Sequence, residues 1–132
     1  MKVFENDFLQ IDTNPEDNMM LVDWKDQSAN MSKEEHHLAL NTLYGCAKEH
    51  KPSKLMLNLS KFYYALDATD QQEVVLLSAD LLGKDLKKCA LVPSKGLMEQ
   101  LAIEQTVNKV GNETDLIRFF KDELTAKNWL DE

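Results

Sequence analysis

Glycine is scarce in this chain, with four in 132 residues. Neither a G-x-G-x-x-G nor a G-x-x-x-x-G-K segment occurs, so the backbone-amide cradles that hold nucleotide phosphates are missing. Cysteine is scarcer still: Cys46 and Cys89 stand alone and form no C-x-x-C spacing. A disulfide framework and a cysteine-built zinc site are therefore not expected, and both thiols read as buried and free. Basic charge is also short, with 15 Lys plus Arg against 23 Asp plus Glu and a net charge of −8. The nearest thing to a basic run, Lys84-Asp85-Leu86-Lys87-Lys88, is interrupted by an acid. Such a surface repels phosphate backbones and anionic headgroups, so neither nucleic acid nor a membrane is an expected partner. No stretch nears the ~20 apolar residues of a membrane span. The start, Met1-Lys2-Val3-Phe4-Glu5-Asn6-Asp7, puts acids where a secretory signal would begin its apolar run. A cytoplasmic protein is the expectation.

What is present is an ordinary globular balance, 43 % hydrophobic and 29 % charged, in a length that suits one domain over residues 1–132. Val3–Ile11 and Met19–Trp24 read as strands paired antiparallel across the turn formers Asp12 to Asn18. Ser32-Lys33-Glu34-Glu35 is a capping box opening a helix whose apolar set is Leu38, Ala39, Leu43, Cys46 and Ala47, stopped by Pro52. Leu55–Leu59 is a short buried strand. Thr69-Asp70-Gln71-Gln72 reads as a second capping box, opening a helix that carries Val74, Val75, Leu77, Leu81 and Leu82 inward and ends at Gly83. Cys89–Val92 is a strand closed by Pro93, Gly96–Val110 a helix, and Leu116–Phe120 a fifth strand. Asp122 caps a last helix packing through Leu124, Ala126, Trp129 and Leu130. Strands alternating with helices after the hairpin predict an α/β fold: a mixed five-stranded sheet, βαβ crossovers and flanking helices. Leu57, Leu59, Leu91, Val92, Ile117 and Phe119 are the expected sheet core.

The element order, together with Met1-Lys2-Val3-Phe4-Glu5-Asn6, Val107-Asn108-Lys109-Val110, Ile117-Arg118-Phe119-Phe120 and Ala126-Lys127-Asn128-Trp129-Leu130, resembles the STAS or SpoIIAA-like fold group. Within that group the chain is most similar to a bacterial STAS/SEC14-like branch. Antagonist members of the group follow the central strand with a loop resembling Asp-Ser-Ser-Gly, whose second serine accepts phosphate. Here Leu55-Met56-Leu57-Asn58-Leu59-Ser60 is followed by Asp67-Ala68-Thr69-Asp70. Asp67 matches the aspartate and Thr69 falls on the acceptor, while Ala68 and Asp70 depart from the pattern. The resemblance implies a regulatory, non-enzymatic role with Thr69 as candidate phosphoacceptor. Read from the residues alone, Thr69 is a helix cap.

No catalytic constellation emerges, no cofactor is implied and no metal site is expected. His36 and His37 are helix neighbours about 100° apart, which prevents shared metal coordination and suggests one packed and one solvated imidazole. Asp67 with Asp70 reads as a solvated pair. Arg118, the sole arginine, is an anion-binding group or a structural one. Phe62, Tyr63 and Tyr64 leave the carboxyl end of a strand, where open α/β sheets bind ligands. They divide between core packing and a surface for a partner. Leu76 projects outward beside Glu73 and Asp80. The leading expectation is a module that binds another protein through Lys61–Asp70 and the helix that follows, with Phe62, Tyr63, Tyr64, Asp67 and Leu76 as its surface. A homodimer through Leu76 is a further expectation. The alternative is a carrier of a small apolar ligand in a helix–sheet cleft lined by Met56, Phe62, Leu77 and Leu81.

Overall fold

The structure is a computed structural model that describes residues 1–81, 86–94 and 117–132. Its strands are β1 (Lys2–Glu5), β2 (Leu9–Asn14), β3 (Met19–Trp24), β4 (Lys54–Leu59), β5 (Lys88–Pro93) and β6 (Ile117–Phe119). Its helices are α1 (Lys33–His50), α2 (Ala68–Leu81) and α3 (Glu123–Leu130), with a short 3-10 turn at Asp26–Asn30. The fold is α/β, and the mixed sheet has six strands in the order β1-β2-β3-β4-β5-β6. The first two ladders are antiparallel and the last three parallel.

The expected five strands become six because the stretch Val3–Ile11 is broken in its middle. Asn6 Oδ1 accepts the backbone N–H of Phe8 at 2.8 Å and of Leu9 at 3.0 Å. An asparagine that bonds the backbone two and three residues on turns the chain tightly. One weakly alternating strand thus becomes a hairpin, β1–β2, and β2 in turn forms the expected antiparallel hairpin with β3.

Side chains alternate between two faces of the sheet. On one, Leu9, Ile11, Met20, Val22, Trp24, Leu55 and Cys89 meet Ala39, Leu40, Leu43 and Ala47 of α1, with Val74, Leu77 and Leu81 of α2 alongside. On the other, Met19, Met56, Ala90 and Val92 meet Ala126, Trp129 and Leu130 of α3. Two successive crossovers that step the same way along a sheet place their helices on one face when both keep the usual hand, and α1 and α2 do share a face. Leu9, Ile11, Met20 and Leu130 are wholly buried. Each such side chain stabilises the fold by about 1.5–3 kcal/mol relative to exposure.

The capping box of α1 forms as the sequence predicts: Ser32 Oγ accepts Glu35 N–H at 3.1 Å, and Ser32 N–H donates to Glu35 Oε1 at 2.9 Å. The helix ends with Lys51 in the left-handed region (φ 47°), directly before Pro52. Asp122 caps α3, its carboxylate accepting Thr125 N–H at 2.8 Å. Two leucines expected to pack do not. Leu38 is 65 % exposed and Leu124 71 %. The buried row of α1 is His36, Ala39, Leu40, Leu43 and Ala47; Leu38 falls off that spacing, as Leu124 falls off the row Ala126, Trp129, Leu130. Of the expected sheet core, Val92 is buried, whereas Leu57, Leu59, Leu91 and Phe119 are half-buried. The Val75 and Ile117 side chains, Leu116, Leu82, Gly83 and the helix expected over Gly96–Val110 lie outside the described residues. Among the described residues, no helix is long and apolar enough to cross a membrane.

Candidate functional site

Parallel strands β3 and β4 deliver the chain to one end of the sheet, beyond their carboxyl termini, and α1 and α2 follow from there. Beyond β4 the chain turns at once, Phe62 N–H bonding back to Leu59 O at 3.0 Å. The buried hydroxyl of Ser28, carried by the 3-10 turn, pins this loop. It donates to Lys61 O at 3.1 Å and accepts Tyr63 N–H at 2.9 Å. Phe62 is thereby driven inward, edge-on to Trp24 with ring centres 4.9 Å apart. Tyr64 lies flat on the His36 ring at 4.5 Å. Tyr63, between them, points outward and is 56 % exposed. The aromatic loop therefore divides: Phe62 and Tyr64 pack, and Tyr63 is left to solvent.

The start of α2 corrects the sequence reading. The predicted cap was Thr69 with Gln72, yet Ala68 and Thr69 already lie inside the helix. Asp67 is the cap. Its Oδ1 accepts Asp70 N–H at 2.8 Å, Asp70 Oδ2 accepts Asp67 N–H at 3.2 Å, and Asp67 C=O takes the first helical bond from Gln71 at 3.0 Å. A carboxylate is the stronger partner for these amides, since it answers the positive end of the helix as well as the free donors. Thr69 is exposed.

Asp67 and Asp70 are not a solvated pair either: Asp70 is 4 % exposed. It is the hub of the site. Tyr64 OH donates to it at 2.9 Å, the Lys33 ammonium stands 3.5 Å away, and His36 Nδ1 lies at 3.7 Å, beyond hydrogen-bond range. Lys33 also donates to Asp67 at 2.6 Å, and that bond holds the Asp67 carboxyl below its ordinary range. Burial, then the bond to Asp70, raises the Tyr64 phenol. His36 is 1 % exposed, and its Nδ1 has no partner. Burial holds its basicity below the ordinary value despite the nearby carboxylates of Asp70 and Glu73. Helical spacing places His36 in the buried row of α1, which was the available signal for a packed imidazole. The same helical spacing puts Lys33, three residues earlier, beside it, whereas nothing local marks Asp70 as its companion.

His37, on the exposed side of α1, pairs with Glu73 of α2 at 2.5 Å, and Asn41 reaches its other ring nitrogen at 3.0 Å. A carboxylate-oriented imidazole resembles half of a catalytic triad. This one lies open on a helix pair, bonded to Glu73 and Asn41, and neither supplies a hydroxyl or thiol. Both thiols are free; Cys89 is buried as expected, whereas Cys46 is only half-buried. Burial pushes the Cys89 thiol up to about 12, and partial burial raises Cys46 as well, which keeps both protonated at neutral pH. Among the described residues, no group of three His, Cys, Asp or Glu is placed to hold a metal.

On the opposite face, the Asn58 amide donates to Asp23 at 3.0 Å and to Glu123. The exposed Arg118 lays its guanidinium over the Trp129 ring at 5.2 Å, which gives it a structural resting place. The four side chains expected to line an apolar cavity do not share one: Met56 packs under α3, while Phe62, Leu77 and Leu81 lie with α1 and α2. A cleft of about 120 Å³ does open at the far end of α1 and α2, bordered by Ala47, Lys51, Leu55, Leu81 and Leu86. It is smaller than the ~300 Å³ at which pockets for drug-sized ligands begin.

No protein-family model, no curated protein and no solved structure matches this chain.

Proposed function

We propose that this chain is a non-enzymatic regulatory module of STAS-like type that binds another protein through the loop Lys61–Asp70 and the outer side of α2. The observation that carries the reading is the outward placement of Tyr63 (56 % exposed) on a pinned stretch of loop and of Leu76 (62 % exposed) on the helix that follows. Phe62 fixes the start of the loop from within, and Ser28 pins its backbone at Lys61 and Tyr63 from below. A pinned backbone presenting the one aromatic side chain of Tyr63 loses little freedom on association, which suits a protein anchor.

Two further features support the STAS-like type. The sheet opens with antiparallel pairing and continues in parallel through helical crossovers. The loop after the central strand leads to a helix start with Asp67 as cap and the exposed hydroxyl of Thr69 two residues on. In this reading Thr69 is the regulated hydroxyl. A phosphate there meets the positive helix end and the nearby Lys33 ammonium, opposed by Asp67 and Asp70.

The test compares wild type with Tyr63→Ser/Leu76→Asp as bait in extract of the source cell. A protein retained by wild type and lost by the variant supports the reading. Equal retention by both, or a retained small molecule in place of a protein, overturns it. Light scattering of the same pair distinguishes a second copy as the partner: a wild-type dimer that dissociates with Leu76→Asp.

A further inference from the structure

We infer that Tyr64–Leu66 is a flap, closed over His36 at neutral pH and opened when acid protonates that imidazole. The inference goes beyond the binding role proposed above and stands or falls without it.

Four observations lead here. First, His36 is polar, 1 % exposed and leaves Nδ1 without a partner. A buried unpaired nitrogen is costly, so a state that hydrates it has a built-in advantage. Second, Tyr64 lies directly on the imidazole, its ring parallel within 14° at 4.5 Å, while the Trp24 and Phe62 rings stand farther off at 6.3 and 6.1 Å. Third, both ends of the flap are anchored by hydrogen bonds and its middle carries few of them. Tyr63 N–H is fixed on the buried Ser28 hydroxyl, and Asp67 is fixed in the cap of α2. Between them the polar ties are Tyr64 OH to Asp70 at 2.9 Å and a marginal Gln71 amide contact to Leu66 O at 3.4 Å, and the Tyr64 and Leu66 side chains rest partly buried on the core. Fourth, burial disfavours an imidazolium in the closed state. The facing charges are Lys33 on the same helix, Asp70 and Glu73 on α2, and Asp67 at the loop end, while β3 contributes the uncharged Trp24 ring. Asp70, at 3.7 Å, is too distant to accept a hydrogen bond from Nδ1. Desolvation outweighs the three carboxylates, and Lys33 adds to it. The proton thus acts as a ligand that binds the open state better than the closed one, and lowering the pH shifts the population toward open.

The experiment is a heteronuclear NMR titration of the full chain from about pH 7.5 to about pH 5.2, bracketing the histidine range. The His36 ring is expected to titrate with a midpoint below its ordinary 6.5. The Tyr64, Ala65 and Leu66 amides should move with that same midpoint and exchange faster on its acid side, while β2 and β3 amides stay protected. His36→Phe keeps an aromatic ring beneath Tyr64 and should abolish the loop titration. Tyr64→Phe removes the tie to Asp70 and should raise the His36 midpoint toward 6.5, because opening becomes easier. A loop titration unchanged in His36→Phe overturns the inference. So does a wild-type midpoint at or above 6.5, or loss of β2 and β3 protection together with the loop. If His36→Phe does not fold, Tyr64→Phe decides, and an unmoved midpoint rejects the flap.

Discussion

Lys88 grips the end of α3 through Trp129 in two ways at once. Its ammonium donates to the Trp129 carbonyl at 3.0 Å and lies over the ring of the same residue at 5.2 Å. It also donates to Glu132 O at 3.1 Å. A cation placed against the carbonyls at a helix C-terminus answers the negative end of the helix. Lys88→Met keeps the aliphatic stem but loses these bonds. It should destabilise the protein by about 1–2 kcal/mol, read as a lower urea midpoint at unchanged slope.

The corrected cap of α2 makes a paired prediction. Asp67→Ala removes the carboxylate that accepts Asp70 N–H and pairs with Lys33, and should lower the melting temperature measurably. Thr69→Ala, at an exposed position inside the helix, should stay within about 0.5 kcal/mol of wild type. Equal losses from the two variants in thermal unfolding would restore Thr69 as the cap.

Gly45 sits mid-way along α1 on its exposed side, and a β-carbon added there meets nothing within 4 Å. Glycine in a helix interior gives up more backbone freedom on folding than alanine. Gly45→Ala should therefore stabilise by about 0.5–1 kcal/mol, seen as a raised melting temperature.

Stability should depend on pH through His36. Its folded value lies below 6.5, because burial disfavours the charged form. In acid the unfolded chain takes up this proton more readily than the closed native state. The His36 contribution to stability is therefore intact above 6.5 and declines as the pH falls below it. Urea midpoints measured at about pH 7.5 and about pH 5.5 should show the drop, and His36→Phe should reduce it.

Local signals carried much of the fold. The β3, β4 and β5 segments, the caps Ser32 and Asp122, and the stop before Pro52 were all legible, because each depends on residues a few positions apart. The break at Asn6 was missed because a side-chain bond to the backbone interrupts an alternation that otherwise continues. The burial of Asp70 could not be read locally. It follows from Tyr64 closing over His36 and from Lys33, 37 residues earlier, arriving on another helix. Tyr63 and Tyr64 are adjacent and alike, and the buried hydroxyl of Ser28, 35 residues before Tyr63, is what fixes the backbone between the packed ring and the exposed one.

The uninterrupted strand order β1-β2-β3-β4-β5-β6 has a consequence for how the chain is made. Each strand hydrogen-bonds the strand that precedes it in sequence, so each emerges from the ribosome with its template already synthesised. The two N-terminal hairpins need only short loop closures and supply a nucleus early. Each later strand then adds at one growing edge, with no slot held open for a segment still to come. A sheet built this way can assemble in the order of its translation.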